Sequence, residues 1–113
     1  MCIRDSSKYC TVFGSGISAV TAITSTLKSG DKILCESNLY GCTVRMFEKI
    51  FKKFGVEVLY IDFTNKDNIN KISNFAPTLI WLESPTNPLL KVLDIKAICD
   101  EANKLQILSL IHI

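Results

Sequence analysis

The chain has one histidine, His112, in 113 residues, so no His-based catalytic pair can be read from it. Its five cysteines include no Cys-x-x-Cys pair, and no metal site is expected. Single scattered cysteines in an apolar chain read as reduced thiols of a cytoplasmic protein, with Cys10, Cys35, Cys42 and Cys99 as small buried hydrophobes. No apolar run approaches the length of a membrane span, so no membrane partner is expected. The net charge is only +2, and the lysines are spread along prospective helix faces. A nucleic-acid partner would call for a basic stripe with interleaved aromatics, which is lacking. There is also no repeat, no low-complexity tract and no internal linker. The length allows one small domain.

The two ends of the chain carry an unusual relation. Met1-Cys2-Ile3-Arg4-Asp5-Ser6 is encodable by ATGTGTATAAGAGACAG plus one base. The reverse complement reads Leu-Ser-Leu-Ile-His and opens an isoleucine codon, matching Leu108-Ser109-Leu110-Ile111-His112-Ile113. Inverted complementary termini have no folding rationale, and they look like a sequencing-library adaptor read through at both ends. Residues 1–6 and 108–113 are therefore expected to be foreign to the fold. Residues 7–107 are then expected to be the N-terminal part of an incomplete larger domain. On that expectation His112 has no role, although the apolar stretch 108–113 is able to imitate a strand.

Strand and helix patterns alternate through the rest. A short strand is expected at Tyr9–Phe13, then a helix from about Gly16 to Lys28 with Ile17, Val20, Ile23 and Leu27 on one face. Gly30 stops it, and Lys32–Cys35 reads as a strand. A second helix spans about Cys42 to Phe54, its buried face marked by Phe47, Ile50, Phe51 and Phe54, and Gly55 ends it. Val56–Ile61 is the next strand, Asp67–Asn74 a short helix with Ile69 and Ile72 inward, and Thr78–Leu82 a continuously apolar strand. Asp94 caps a last helix carrying Ile95, Ile98, Ala102 and Leu105. The alternation predicts βαβ units and an α/β fold with a mostly parallel sheet.

Ligands of such sheets sit outside the carboxyl ends of the strands. Three strand ends look prepared. Gly14-Ser15-Gly16 opens a helix, where backbone amides and the helix dipole favour a phosphate and the Ser15 hydroxyl adds a donor. Tyr40-Gly41 offers an aromatic ring suited to stacking on a flat heteroaromatic group, and Arg45 faces either solvent or an anionic substrate group. Glu83-Ser84-Pro85-Thr86-Asn87-Pro88 ends a strand in a carboxylate and continues into a loop stiffened by its prolines. There Asn87 holds an amide that both donates and accepts, while Glu83 either accepts from loop amides or acts chemically. A competing reading exists. Gly14-x-Gly16-x-x-Ala19 with Glu36 some 20 residues on matches a dinucleotide fingerprint, and that reading implies a dehydrogenase domain. A third reading is an inert fragment without enzymatic function.

The order of these blocks resembles the Cys/Met-metabolism family of pyridoxal-phosphate enzymes, which includes cystathionine γ-lyase, γ-synthase and β-lyase and methionine γ-lyase. The blocks are Phe13–Ala19, Leu39–Phe47 and Trp81–Ile95, and the resemblance covers Lys8 to Ala102. It implies the large domain of a fold-type I, aspartate-aminotransferase-like enzyme that uses pyridoxal 5′-phosphate. The implied activity is β- or γ-elimination or γ-replacement on a small amino-acid substrate, in a homotetramer. It also implies that Ser15, Gly16 and Ile17 hold the cofactor phosphate, with Gly16 and Ile17 acting through backbone amides. Tyr40 stacks on the ring and assists proton transfer, Asn87 lies at the ring's phenolic oxygen, and Arg45 lies on the substrate side; Glu83, at the strand end, is counted with the cofactor-binding residues. Ile17 stands where methionine or leucine is usual, and Cys42 replaces the second glycine of Tyr-Gly-Gly. The Schiff-base lysine, the aspartate for the pyridine nitrogen and the Ser/Thr phosphate ligands have no match in the chain, so by itself it is expected to be inactive. If the resemblance holds, Gly16, Tyr40 and Asn87 share one cleft; the dinucleotide alternative instead needs Glu36 beside the helix N-terminus.

Overall fold

The computed structural model describes residues 9–112, so residues 1–6 and Ile113 of the expected foreign ends lie outside the described residues. Four parallel strands form one sheet in the order β2-β1-β3-β4. They are β1 (Lys32–Glu36), β2 (Glu57–Ile61), β3 (Leu79–Glu83) and β4 (Leu108–His112). β3 is buried at every position, as its unbroken apolar run Leu79-Ile80-Trp81-Leu82 requires of a central strand covered on both faces. β4 pairs with β3 from Leu79↔Leu108 to Glu83↔His112. The stretch expected to be foreign to the fold is thus the edge strand of the sheet.

Side chains alternate across the sheet and build two apolar layers. One joins Ile33, Cys35, Val58, Leu79 and Trp81 to α1 (Gly16–Thr24) and α2 (Gly41–Lys49) through Val20, Met46 and Phe47. Phe47 meets Trp81 edge-on at 5.5 Å between ring centroids, a favoured aromatic geometry. The other joins Leu34, Ile61, Ile80 and Leu82 to α3 (Lys66–Ile69), α4 (Ile72–Phe75) and α5 (Ile95–Lys104) through Ile69, Ile72, Ile98 and Ala102. Burial of each such side chain contributes about 1.5–3 kcal/mol. Asp94 caps α5 by accepting from the Ala97 amide at 3.1 Å.

Several elements differ from the sequence reading. Residues 9–13 form no strand; Tyr9 and Val12 are exposed, and no sheet neighbour supplies the ladder hydrogen bonds a strand needs. α1 ends at Thr24 rather than Lys28. α2 ends at Lys49 and a 3₁₀ turn follows over Phe51–Phe54, closed by Gly55 at φ 78°. The tighter winding swings the face around, so Phe47 and Phe51 are buried while Ile50 and Phe54 are 47% and 67% exposed. A Cβ at Gly55 would run into the Ser29 side chain, so both conformation and space require glycine there. The single helix expected at Asp67–Asn74 is split into α3 and α4, with Ile69 and Ile72 inward as read. Of the four cysteines among the described residues only Cys35 is buried; Cys10 is exposed, and Cys42 and Cys99 are half-buried. No helix of the described residues is long and apolar enough to cross a membrane.

Candidate functional site

Chain direction brings the chemistry-bearing loops to the carboxyl edge of the sheet. Beside it lies a cavity of about 250 Å³ lined by Ser15, Gly16, Ile17, Val20, Tyr40, Thr43 and His112. Ser15 caps α1: its Oγ accepts from the Ser18 amide at 3.1 Å and contacts Ser18 Oγ at 2.8 Å. That leaves the Gly16 and Ile17 amides as the open donors of the first turn, at the positive end of the helix dipole. Tyr40 is the N-cap of α2, 44% exposed, and lines the same cavity.

Glu83 explains why Tyr40 sits there. Its Oε2 accepts from the Tyr40 backbone amide at 2.8 Å, which fixes the start of α2 to the end of β3. His112, its neighbour in the register, brings Nδ1 to 3.9 Å of the same oxygen. Asn87 is exposed in the loop after β3 and does not line the cavity. Its loop is held from within: buried Thr86 accepts from the Lys91 amide at 3.0 Å, and Ser84 accepts from the Leu93 amide at 3.1 Å. The Ser84–Pro85 and Asn87–Pro88 bonds are cis. Lys91, farther along that loop, pairs with Asp62 at 3.3 Å.

Arg45 lies one helical turn into α2, exposed, where it donates to Cys42 Sγ at 3.3 Å and shares a shallow recess with Ile17 and Met46. Hydrogen bonding with Tyr40, and then with Arg45, pulls the Cys42 thiol below its ordinary range. The Cys42 contact holds the Tyr40 phenol above its own.

Glu36, the ribose ligand of the dinucleotide reading, is fully buried on the other face of the sheet. It accepts from Ser37 Oγ, the Asn38 amide, Asn38 Nδ2 and the Phe63 amide at 2.7–3.3 Å. Its carboxylate is consumed in fixing two loops, and among the described residues no strand precedes Gly14. Neither condition of a dinucleotide fold is met. Sequence reasoning missed Thr43 and Thr86, whose roles depend on tertiary neighbours. Among the described residues no group of three or more His, Cys, Asp or Glu gathers to hold a metal.

The family described as Cys/Met metabolism PLP-dependent enzyme matches residues 1–112. Cystathionine gamma-lyase of Macaca fascicularis is 39% identical over 93 residues, which are 82% of this chain and 23% of the relative. The Dictyostelium discoideum cystathionine gamma-lyase is 38% identical over 96 residues, 85% of this chain and 25% of that protein. Among solved structures, cystathionine gamma-lyase from Lactobacillus plantarum complexed with L-serine superposes with a TM-score of 0.83 at 33% identity, covering 89% of this chain and 26% of that one. Cystathionine gamma synthase from Xanthomonas oryzae pv. oryzae in complex with cystathionine gives 0.80 at 26% identity, covering 86% and 25%. The chain therefore spans about a quarter of the length of the relatives it matches.

Proposed function

The chain belongs to the Cys/Met-metabolism family of pyridoxal-phosphate-dependent enzymes, and from that premise we propose that it forms part of the cofactor-binding domain of a transsulfuration enzyme. The parent acts on sulfur amino acids by β- or γ-elimination or by γ-replacement, in the manner of a cystathionine γ-lyase or γ-synthase. The observation that carries this reading is the shared cavity: Gly16 and Ile17, at the N-terminus of α1, and Tyr40 line one space at the carboxyl edge of the sheet.

The residues present fit a phosphate joined to a flat ring. Two amides at a helix N-terminus suit the phosphate, and the exposed Tyr40 ring suits stacking. At about 250 Å³ the cavity is smaller than the roughly 300–1,000 Å³ of pockets enclosing a whole ligand, so it takes the phosphate and part of the ring. When bound, pyridoxal phosphate supplies an electron sink for charge developing at the substrate α-carbon. The chain's own residues hold and orient it. Gly16 and Ile17, with Ser15 as their cap, fix the phosphate, and Tyr40 covers one face of the ring and offers its phenolic proton. Glu83 fixes Tyr40 through its amide, Asn87 approaches the ring edge from its loop, and Arg45 receives the substrate carboxylate. A cytoplasmic, homotetrameric parent belongs to the same proposal, as does adaptor origin for residues 1–6 and 108–113.

Pyridoxal phosphate binding to the 113-residue chain, followed by quenching of Trp81 fluorescence, tests the reading. Saturable binding that Tyr40→Ala weakens is expected; identical titration curves for the two proteins would overturn it. Amplification of the gene from genomic DNA tests the ends, since codons other than the adaptor's at 1–6 and 108–113 are expected. In a lyase assay with cystathionine, the chain alone should give no turnover above free cofactor.

A further inference from the structure

The cavity is bounded by the first turns of two nine-residue helices, not one. From α1 come the Gly16 and Ile17 amides. From α2 comes Thr43, which the family resemblance assigns no role. Thr43 is 1% exposed, yet its Oγ1 has no hydrogen-bond partner among the described residues. Its amide is occupied by the Tyr40 carbonyl at 2.9 Å, so the hydroxyl alone is unused. A buried hydroxyl without a partner is destabilising, and valine would fill the same space without that cost. The other unpartnered polar group on the cavity, His112 Nδ1, has the Glu83 carboxylate nearby at 3.9 Å.

We propose that Thr43 is a further ligand of the phosphate held in this cavity, its Oγ1–H donating alongside the Gly16 and Ile17 amides. The proposal rests on the cofactor reading above and deepens it. Thr43 lines the cavity from the start of α2, so the helix held to β3 by Glu83 grips the phosphate as well as presenting Tyr40. Donation to a charged oxygen is stronger than to a neutral one, which gives an otherwise idle hydroxyl a use in the loaded protein.

The probe is pyridoxine 5′-phosphate, which has no aldehyde and cannot react with surface lysines, paired with pyridoxine. Isothermal titration of the full chain should show tighter binding of the phosphate form. Thr43→Val should reduce that preference on the order of tenfold, the effect of one hydrogen bond to a charged group. Thr43→Ser, which keeps the hydroxyl, should retain most of it. Without ligand, Thr43→Val should melt at the same or a higher temperature than the parent sequence. An unchanged phosphate preference in Thr43→Val overturns the proposal and leaves the cofactor reading standing. A clearly lowered melting temperature of Thr43→Val, with Thr43→Ser normal, also overturns it by showing a structural partner for Oγ1. Absence of any phosphate preference in the parent sequence overturns both.

Discussion

The two faces of the sheet treat their polar groups differently. On the face covered by α3, α4 and α5, Glu36 is buried and accepts four hydrogen bonds. On the face covered by α1 and α2, Thr43 Oγ1, Trp81 Nε1 and His112 Nδ1 are buried without hydrogen-bond partners among the described residues, and the cavity opens there. Glutamates end both β1 and β3, yet the first closes a structure and the second holds one side of an open site. Closed packing and full satisfaction stabilise; unspent polar capacity costs stability and is retained where a ligand is to be met.

The contrast is most exposed at the two glutamates. Glu36→Leu leaves the buried amide of Phe63 and the part-buried amide of Asn38 without acceptors, at about 1–3 kcal/mol for the first and less for the second. Glu83→Leu orphans only the Tyr40 amide and should cost roughly half as much. Equal losses in urea unfolding would erase the difference between the faces. Ile98→Ala, at a fully buried position, should cost about 2–5 kcal/mol with an unchanged denaturant slope. A cost under about 1 kcal/mol would mean that the closed face is loosely packed.

A kinetic probe sharpens the open face. Cys42 is held low by Tyr40 and Arg45, whereas burial pushes the Cys35 thiol up. Iodoacetamide should modify Cys42 well before Cys35 and continue at pH values below the ordinary thiol range near 8.5. Arg45→Ala should slow Cys42 severalfold at neutral pH; equal rates at the two cysteines would contradict the geometry. The smallest effect is electrostatic. The Thr64 hydroxyl and amide, with Lys91, hold the Asp62 carboxyl below its usual range. Its contribution is therefore complete above about pH 4 and fades as pH falls through the lowered value. Asp62→Asn should lower stability slightly at neutral pH, flatten the acid limb by the same small amount and leave the lowest pH unchanged; the loss is small because the ion pair with Lys91 is well exposed.

Much of the fold is legible in sequence because burial on both faces writes itself as an apolar run. Leu79–Leu82 reads as a central strand for that reason, and Asp94 reads as a cap because its hydrogen bond is local. The first-turn amides of Gly16 and Ile17 follow from a glycine-bounded helix start in the same way. What was not legible depends on distant partners or a change of winding. Phe54 fits a helical stripe but falls in a 3₁₀ turn and faces out. Glu36 fits a ribose-ligand spacing, yet the Phe63 amide, 27 residues on, claims its carboxylate. Thr43 gives no sequence signal, since nothing local distinguishes a hydroxyl that has a partner from one that has none.

The grip of Glu83 on Tyr40 has one more consequence. It holds the peptide amide and leaves the phenol alone, so the address of position 40 does not depend on its occupant. The ring can be exchanged for any other non-proline side chain while the socket that receives it stays put. Chemistry at this edge is then open to retuning one residue at a time, with the scaffold indifferent to the choice.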